Sequence, residues 1–354
     1  MRNPSIIFYG TKIKLIGDPH LGKIFKRNVP ISKLGLREKQ MYKTFEQHLV
    51  EGSTHDYTII VGDLFDSFRV TNEALATTFK IIIKFLKTSK TKLIIIPGNH
   101  DLSKDKTKIS SYSILYSMLE PYFNDKFIML FNKPDVIDLG TSYLYLDVYN
   151  PFYKQGDERE KPFLEELEDT KPVLSVGHWD DPRFDTGYLP SNYLLERSEK
   201  LCSGHIHSPE TFLWKGVEWS YTGSLEPYSH GEDLEGLLYK TYTYEEIESV
   251  VKSDIKLEEE GVASKNIRIN CYPGYFLPVS LDCMSLTYNP ILPYPEIKED
   301  IDKVGINDDL ESLDLSDFNT MYLYTLREEY ELEDYLLVKI NNFLKDDTIT
   351  EFKL

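Results

Sequence analysis

Five short segments carry most of the reactive side chains of this sequence: Asp18-Pro-His20, Gly62-Asp63-Leu-Phe-Asp66, Gly98-Asn-His-Asp101, Gly177-His178 and Gly204-His-Ile-His207. They offer carboxylates, imidazoles and one amide oxygen, the mixed donor set that divalent cations such as Mn²⁺ or Mg²⁺ accept; an all-thiolate set would point to zinc or iron–sulfur. The reading is a site for two divalent metal ions, with Mn²⁺ the expected one. Asp18, His20 and His207 are assigned to the first metal, Asn99, His178 and His205 to the second, and Asp63 to the bridge. Two such metals, about 3.5–4 Å apart, would activate water and offset charge on the attacking and leaving oxygens of a phosphodiester. No Ser or Cys nucleophile is then needed. His100 is left outside the ligand set and is placed to protonate the leaving oxygen or hold the phosphate. Asp66 and Asp101 are expected either to orient the imidazoles and turns from behind or only to cap turns.

The elements that would position these residues are legible as apolar runs. Ile13–Ile16, Tyr57–Val61 and Leu93–Pro97 read as buried strands leading to Asp18, Asp63 and Asn99. Val173–Val176 and Leu201–Ser203 lead in the same way to His178 and His205. Every candidate ligand thus lies past the carboxyl end of a strand, where an open α/β sheet places its crevice. A lone Gly-Asp or Gly-His pair says little; five in this arrangement are specific. Helical spacing of Leu75, Phe79, Ile82, Ile83 and Leu86 predicts a helix over Asn72–Lys87, and Phe45 and Leu49 predict another over Leu36–Val50. Val217–Tyr221 and Leu144–Tyr149 read as strands, and Ile6–Tyr9 as an added edge strand. Phe45 and Phe79 are expected in the core, and His48, His55 and His230 as structural or surface histidines.

The motif set, spread over roughly residues 12–230, resembles the signature of the calcineurin-like metallophosphoesterases. Asp18-Pro-His-Leu-Gly-Lys23, Gly62-Asp-Leu-Phe-Asp-Ser67 and Tyr221-Thr-Gly-Ser-Leu-Glu-Pro-Tyr228 look like the SbcD-type double-strand-break repair nucleases. Ser175-Val-Gly-His-Trp-Asp180 and Ser203-Gly-His-Ile-His207 are closer still to the recombination endonuclease subunit of tailed phages. Pro19 stands where the family usually has Trp, at a position that is not a ligand. The resemblance implies an α/β fold, a four-layer-type metallophosphoesterase sandwich of mixed sheets flanked by helices, with a small α+β capping domain. It also implies metal-dependent cleavage of DNA ends, an SbcC-type coiled-coil ATPase as partner, and a possible homodimer. The expected division is a nuclease domain over 1–244 and a linker with DNA-capping domain over 245–354. In the latter, Met321–Leu326 reads as a strand, Leu332, Leu336, Ile340 and Phe343 as one helical face, and Thr348–Lys353 as a closing strand. The ATPase-binding helices that usually follow the cap are not recognised, so either the sequence is a shortened piece or docking uses another surface, such as the acidic insert Asp300–Asp317.

Composition bounds the remainder. The 354 residues suffice for one large domain and a smaller one. With no run of about 18 apolar residues and no leader-like N-terminus, a cytoplasmic rather than membrane-bound or secreted protein is expected. Cys202, Cys271 and Cys283 are widely spaced and read as reduced, buried thiols. The net charge of −18 is unusual for a DNA-binding protein. It is uneven, however: Lys23, Lys26, Arg27, Lys33, Arg37, Lys39 and Lys43 follow the first motif, and Lys104, Lys106 and Lys108 follow Asp101. These two basic loops are expected to line the rim and bind DNA. The alternative is a metallophosphoesterase for a nucleotide or other small phosphoester, which the acidic balance favours.

Overall fold

Strands buried on both faces organise the protein, described here by a computed structural model covering residues 2–291 except 104, 106–107, 153–158, 185–186, 234, 273–274 and 278–279. The first sheet comprises β1 (Ser5–Phe8), β2 (Thr11–Ile16), β3 (Tyr57–Val61), β4 (Lys92–Ile96) and β5 (Phe127–Met129), in that spatial order. All neighbours are parallel except β1, the expected edge strand, which pairs antiparallel with β2. The second sheet contains β6 (Asp135–Asp138), β7 (Tyr143–Leu146), β8 (Val173–Gly177), β9 (Ser198–Ser203), β10 (Glu210–Trp214) and β11 (Val217–Tyr221). Its order is β10-β11-β9-β8-β7-β6, with a parallel centre and antiparallel outer strands.

Because side chains alternate along a strand, each apolar run feeds two cores at once. Ile13, Leu15, Ile59, Val61, Ile94 and Ile96 face Leu144, Leu146, Leu174, Val176 and Cys202 between the sheets. The alternate residues Ile16, Ile60, Leu93 and Ile95 pack beneath α1 (Leu36–Gly52), α2 (Asn72–Thr88) and α3 (Ser111–Leu119). On the far side, Tyr143, Tyr145, Leu201 and Trp219 are covered by Leu164 of α4 (Lys161–Leu164) and Leu194 of α5 (Asn192–Arg197). The result is a four-layer α/β/β/α sandwich, as the resemblance implied. Each fully buried Leu or Ile in it contributes about 1.5–3 kcal/mol.

Strand β7 stops at Leu146, short of the predicted Tyr149; the next residue, Asp147, is a buried carboxylate accepting from Trp179 Nε1 at 2.7 Å and the Tyr188 hydroxyl at 2.8 Å. A third, all-parallel sheet follows: β12 (Tyr239–Thr243), β13 (Asn266–Cys271) and β14 (Ser285–Pro290), in that order. Helices α6 (Tyr244–Val251) and α7 (Asp254–Glu259) connect it, and Ile247, Val250, Ile267 and Ile269 share its core. Thr243 and Glu246 form a reciprocal capping box at the start of α6. The expected division at 244/245 falls just inside α6, after its first residue Tyr244. The described residues up to Ile291 cluster as one compact unit. The strand, helix and strand predicted over Met321–Lys353, and the acidic insert Asp300–Asp317, lie outside the described residues.

Candidate metal centre

Each expected ligand leaves the carboxyl end of a strand: Asp18 and His20 after β2, Asp63 after β3, Asn99 after β4, His178 after β8, and His205 and His207 after β9. The loops are tight enough to force unusual backbone. Asp18, His20, Asp63 and His205 have φ of 39°, 45°, 44° and 79°, a left-handed region costing a non-glycine residue about 1–2 kcal/mol. Such strain persists where surrounding contacts over-determine it and gathers at functional sites. The motif glycines make room for their neighbours. A Cβ on Gly62, whose φ is +87°, would lie 2.1 Å from His178 Nδ1, and one on Gly98 would lie 2.2 Å from Asp63 Oδ1.

The structure brings all seven expected donors together in overlapping groups: Asp18, His20 and His207; His20, Asp63 and His100; and Asp63, His178 and His205. Asn99 joins the last, its Oδ1 standing 2.9 Å from His178 Nε2 and 3.1 Å from His205 Nδ1. His20 Nε2 faces His207 Nε2 at 3.0 Å. Asp63 Oδ2 is between the halves, 3.4 Å from His178 Nε2 and 3.9 Å from His20 Nε2. Ring nitrogens, carboxylates and an amide oxygen converging this closely fit a pair of hard or borderline divalent cations. The rings are held from behind: His178 Nδ1 donates to the Val61 carbonyl at 3.1 Å, and Asp18 is fixed by the His205 amide at 2.9 Å. The Tyr228 hydroxyl clamps the first loop by donating to the carbonyls of Asp18 and Pro19.

Burial sets the electrostatics. It pushes the Asp18 carboxyl up to about 6, partly countered by His178. It pushes His20 down to about 3, leaving a neutral imidazole. Burial opposes charge on His178 too, but the carboxylates of Asp63 and Asp18 outweigh it and raise this imidazole to about 10. Burial alone would raise Asp63; His178 and His20 instead hold it well below the usual carboxylate range. Each partner of the His178–Asp63 pair thus favours the charged form of the other.

His100 differs from the histidines expected as ligands. Its Nδ1 donates to the Asp66 carbonyl at 2.6 Å, its amide donates to Asp63 Oδ1 at 2.8 Å, and its side chain is 42% exposed while those of His20 and His178 are buried. Asp66 lies behind His20, 3.5 Å from its Nδ1, and binds the Lys23 ammonium at 2.8 Å. Asp101 is instead a loop tie: buried, it accepts the amides of Leu64, Phe65 and Gly98, each at 3.0 Å, which joins the second and third motif loops. Burial and the neighbouring Asp63 push its carboxyl up to about 7.

The basic rim needs one correction. Arg37 is 4% exposed and unavailable to DNA; its guanidinium is paired with the Glu226 carboxylate and donates to the Pro227 carbonyl at 2.9 Å. Lys23 is held by Asp66 and Lys33 by Asp282 at 2.9 Å, while Lys26 and Arg27 are exposed. Lys104 and Lys106 lie outside the described residues. His48, His55 and His230 contact Glu51, Ser5 and Thr241, away from the donor groups. Two carboxylates not anticipated from the sequence touch the centre: Asp180 at His205 and Glu232 at His207. An acidic residue two places after His178 is the only local hint of the first.

A four-layer sandwich carrying mixed oxygen and nitrogen donors at its strand ends is the architecture of a metal-dependent phosphoester hydrolase. Residues 11–209 match the family described as Calcineurin-like phosphoesterase, and the chain belongs to that family. Its members use divalent metals, in keeping with the donor groups here. A curated relative, the DNA double-strand break repair protein Mre11 of Saccharolobus solfataricus, is 36% identical over 103 residues, 28% of this chain and 25% of that protein. The match thus spans about a quarter of the relative's length. Among solved structures, Phosphopantetheinyl Hydrolase (PptH) of Mycobacterium tuberculosis is similar with a TM-score of 0.36 and 16% identity, covering 61% of this chain and 93% of that one. A protein of Thermus thermophilus is similar with a TM-score of 0.40 and 12% identity, covering 60% of this chain and 89% of that one. Among the described residues no helix is long and apolar enough to cross a membrane.

Proposed function

We propose that this protein is a Mn²⁺-dependent DNA exonuclease and endonuclease that processes DNA ends in recombination and double-strand-break repair by two-metal phosphodiester hydrolysis. The observation that carries the chemistry is the convergence of Asp18, His20, Asp63, Asn99, His178, His205 and His207, with the exposed His100 beside them. Bound cations supply Lewis-acid charge and a water of lowered pKa. The chain's own residues hold them, exclude competing solvent from the buried half, and offer His100 Nε2 to the phosphate or the departing oxygen. His100 is fit for that role because the Asp66 carbonyl fixes its Nδ1–H and leaves Nε2 toward the centre, 3.9 Å from Asp63 Oδ2.

DNA as substrate is supported by the partial likeness to a break-repair protein and by the exposed Lys26 and Arg27 beside the first motif. The SbcD-type and tailed-phage likenesses extend the proposal to an SbcC-type ATPase partner and a homodimer. Three free, buried cysteines suit a reducing cytoplasm. The net charge of −18 and the burial of Arg37 favour a second reading, hydrolysis of a nucleotide or other small phosphoester.

The deciding experiment is Mn²⁺-dependent degradation of end-labelled duplex and single-stranded DNA, with chelator and His100→Ala as controls. Cleavage lost in both controls is expected. Intact DNA alongside rapid turnover of a small phosphodiester would transfer the assignment to the second reading.

A further inference from the structure

Besides Asp66 behind His20, two further carboxylates outside the donor set touch histidines of the centre from behind, one in each half. Asp180 Oδ1 lies 2.6 Å from His205 Nε2. Its other oxygen accepts the Tyr188 amide, and its own amide donates to the Tyr188 carbonyl, so the carboxylate is held in place. Glu232 Oε1 lies 3.4 Å from His207 Nδ1; this side chain accepts the Tyr228 amide at 2.9 Å and the Ser229 hydroxyl at 3.0 Å. Arg2 donates to the carbonyls of both His207 and Glu232, tying the two backbones together.

The two rings are turned in opposite senses. His205 shows Nδ1 to Asn99 Oδ1 at 3.1 Å, whereas His207 shows Nε2 to His20 Nε2 at 3.0 Å. A neutral imidazole has one N–H, and the acceptor beside it decides which nitrogen keeps the proton. His178 and His100 find that acceptor in backbone carbonyls, those of Val61 and Asp66. A carbonyl stays put in any variant; the acceptors of His205 and His207 are side chains, and charged ones.

We propose that Asp180 and Glu232 are positioning residues, one per metal: Asp180 fixes His205 with its proton on Nε2, and Glu232 fixes His207 with its proton on Nδ1, so that the opposite lone pair faces the centre. The inference rests on reading the site as a two-metal centre. It makes loss of each carboxylate selective, weakening one metal by about 10–100-fold and sparing the other.

The test uses the full chain, stripped with chelator and titrated with MnCl₂ by calorimetry and electron paramagnetic resonance. Asp180→Ala should weaken one binding step and Glu232→Ala the other. Asp180→Ala should add little to Asn99→Ala, which removes a donor to the same metal, but should impair both steps when combined with His20→Ala. Long-range ¹⁵N–¹H spectra of the imidazoles supply a readout independent of metal and of DNA: His205 should lose its Nε2–H preference in the Asp180 variant while His207 keeps its tautomer. Asp180→Asn, which retains an acceptor without the charge, should fall between, and it carries the test if the alanine variant fails to fold. Two Mn²⁺ bound by the wild type with unchanged affinities and tautomers in the variants would overturn this proposal alone. A wild type that binds no Mn²⁺ would overturn the two-metal reading, and this proposal with it.

Discussion

His100 and Asp63 lie in contact with the same backbone turn yet should fail in different ways when removed. Asp63 is buried between the two halves of the site, so Asp63→Ala should abolish binding of both metals and all hydrolysis. His100 is exposed and hydrogen-bonded through Nδ1 and its amide, so His100→Ala should retain metal and lower the rate by about 10²–10⁴-fold. Metal content by elemental analysis separates the two; equal loss of metal would make His100 a ligand. A proton-linked effect belongs to the same scale. Asp63 and Asp18 raise His178 to about 10 against the opposing effect of burial, which favours its protonated form in the metal-free site. A ligand must be neutral, so cation binding has to expel that proton, and apparent Mn²⁺ affinity should rise as pH climbs toward about 10. Calorimetry in buffers of different ionisation enthalpy should report the release. Heats that do not vary with buffer would mean His178 is already neutral.

At the level of the elements, the motif glycines are what let the strand ends approach each other. Gly62→Ala would both force an alanine into a left-handed backbone, at about 1–2 kcal/mol, and drive its Cβ into His178. A lowered melting temperature together with weaker Mn²⁺ retention is expected, and a variant equal to wild type in both would show that the loop relaxes freely. These loops were legible in the sequence because parallel, doubly covered strands write continuous apolar runs with the donors immediately after them. The same cause explains what was missed. Asp180 and Glu232 act on rings of other segments, and a contact across loops leaves no trace in local spacing. Arg37 was placed on the rim because it sits in a basic stretch, yet it precedes Met41, Phe45 and Leu49 by multiples of four on α1, the phase that the helix buries. Helical phase, rather than local charge density, was the informative signal there.

For the molecule as a whole, the proposed DNA substrate raises the question of how a chain of charge −18 would hold a polyanion. Net charge governs long-range approach, but it is the positive charges actually meeting phosphates that set affinity and its dependence on salt. Lys26 and Arg27 are exposed beside the first motif, whereas Arg37 is locked to Glu226 inside the fold. The two kinds of cation should therefore separate in solution. Lys26→Ala and Arg27→Ala should each weaken DNA binding at any sequence and reduce the slope of log affinity against log salt by about 1, without altering the melting temperature. Arg37→Ala strands the Glu226 carboxylate in the interior and should cost about 3–5 kcal/mol of stability, with an unchanged salt slope for whatever protein remains folded. Salt titrations of binding to a labelled duplex, paired with thermal melts, make the comparison. If the Lys26 and Arg27 variants leave the slope untouched, the first basic loop does not meet the DNA backbone, and the acidic surface regains its weight as evidence for a small phosphoester substrate.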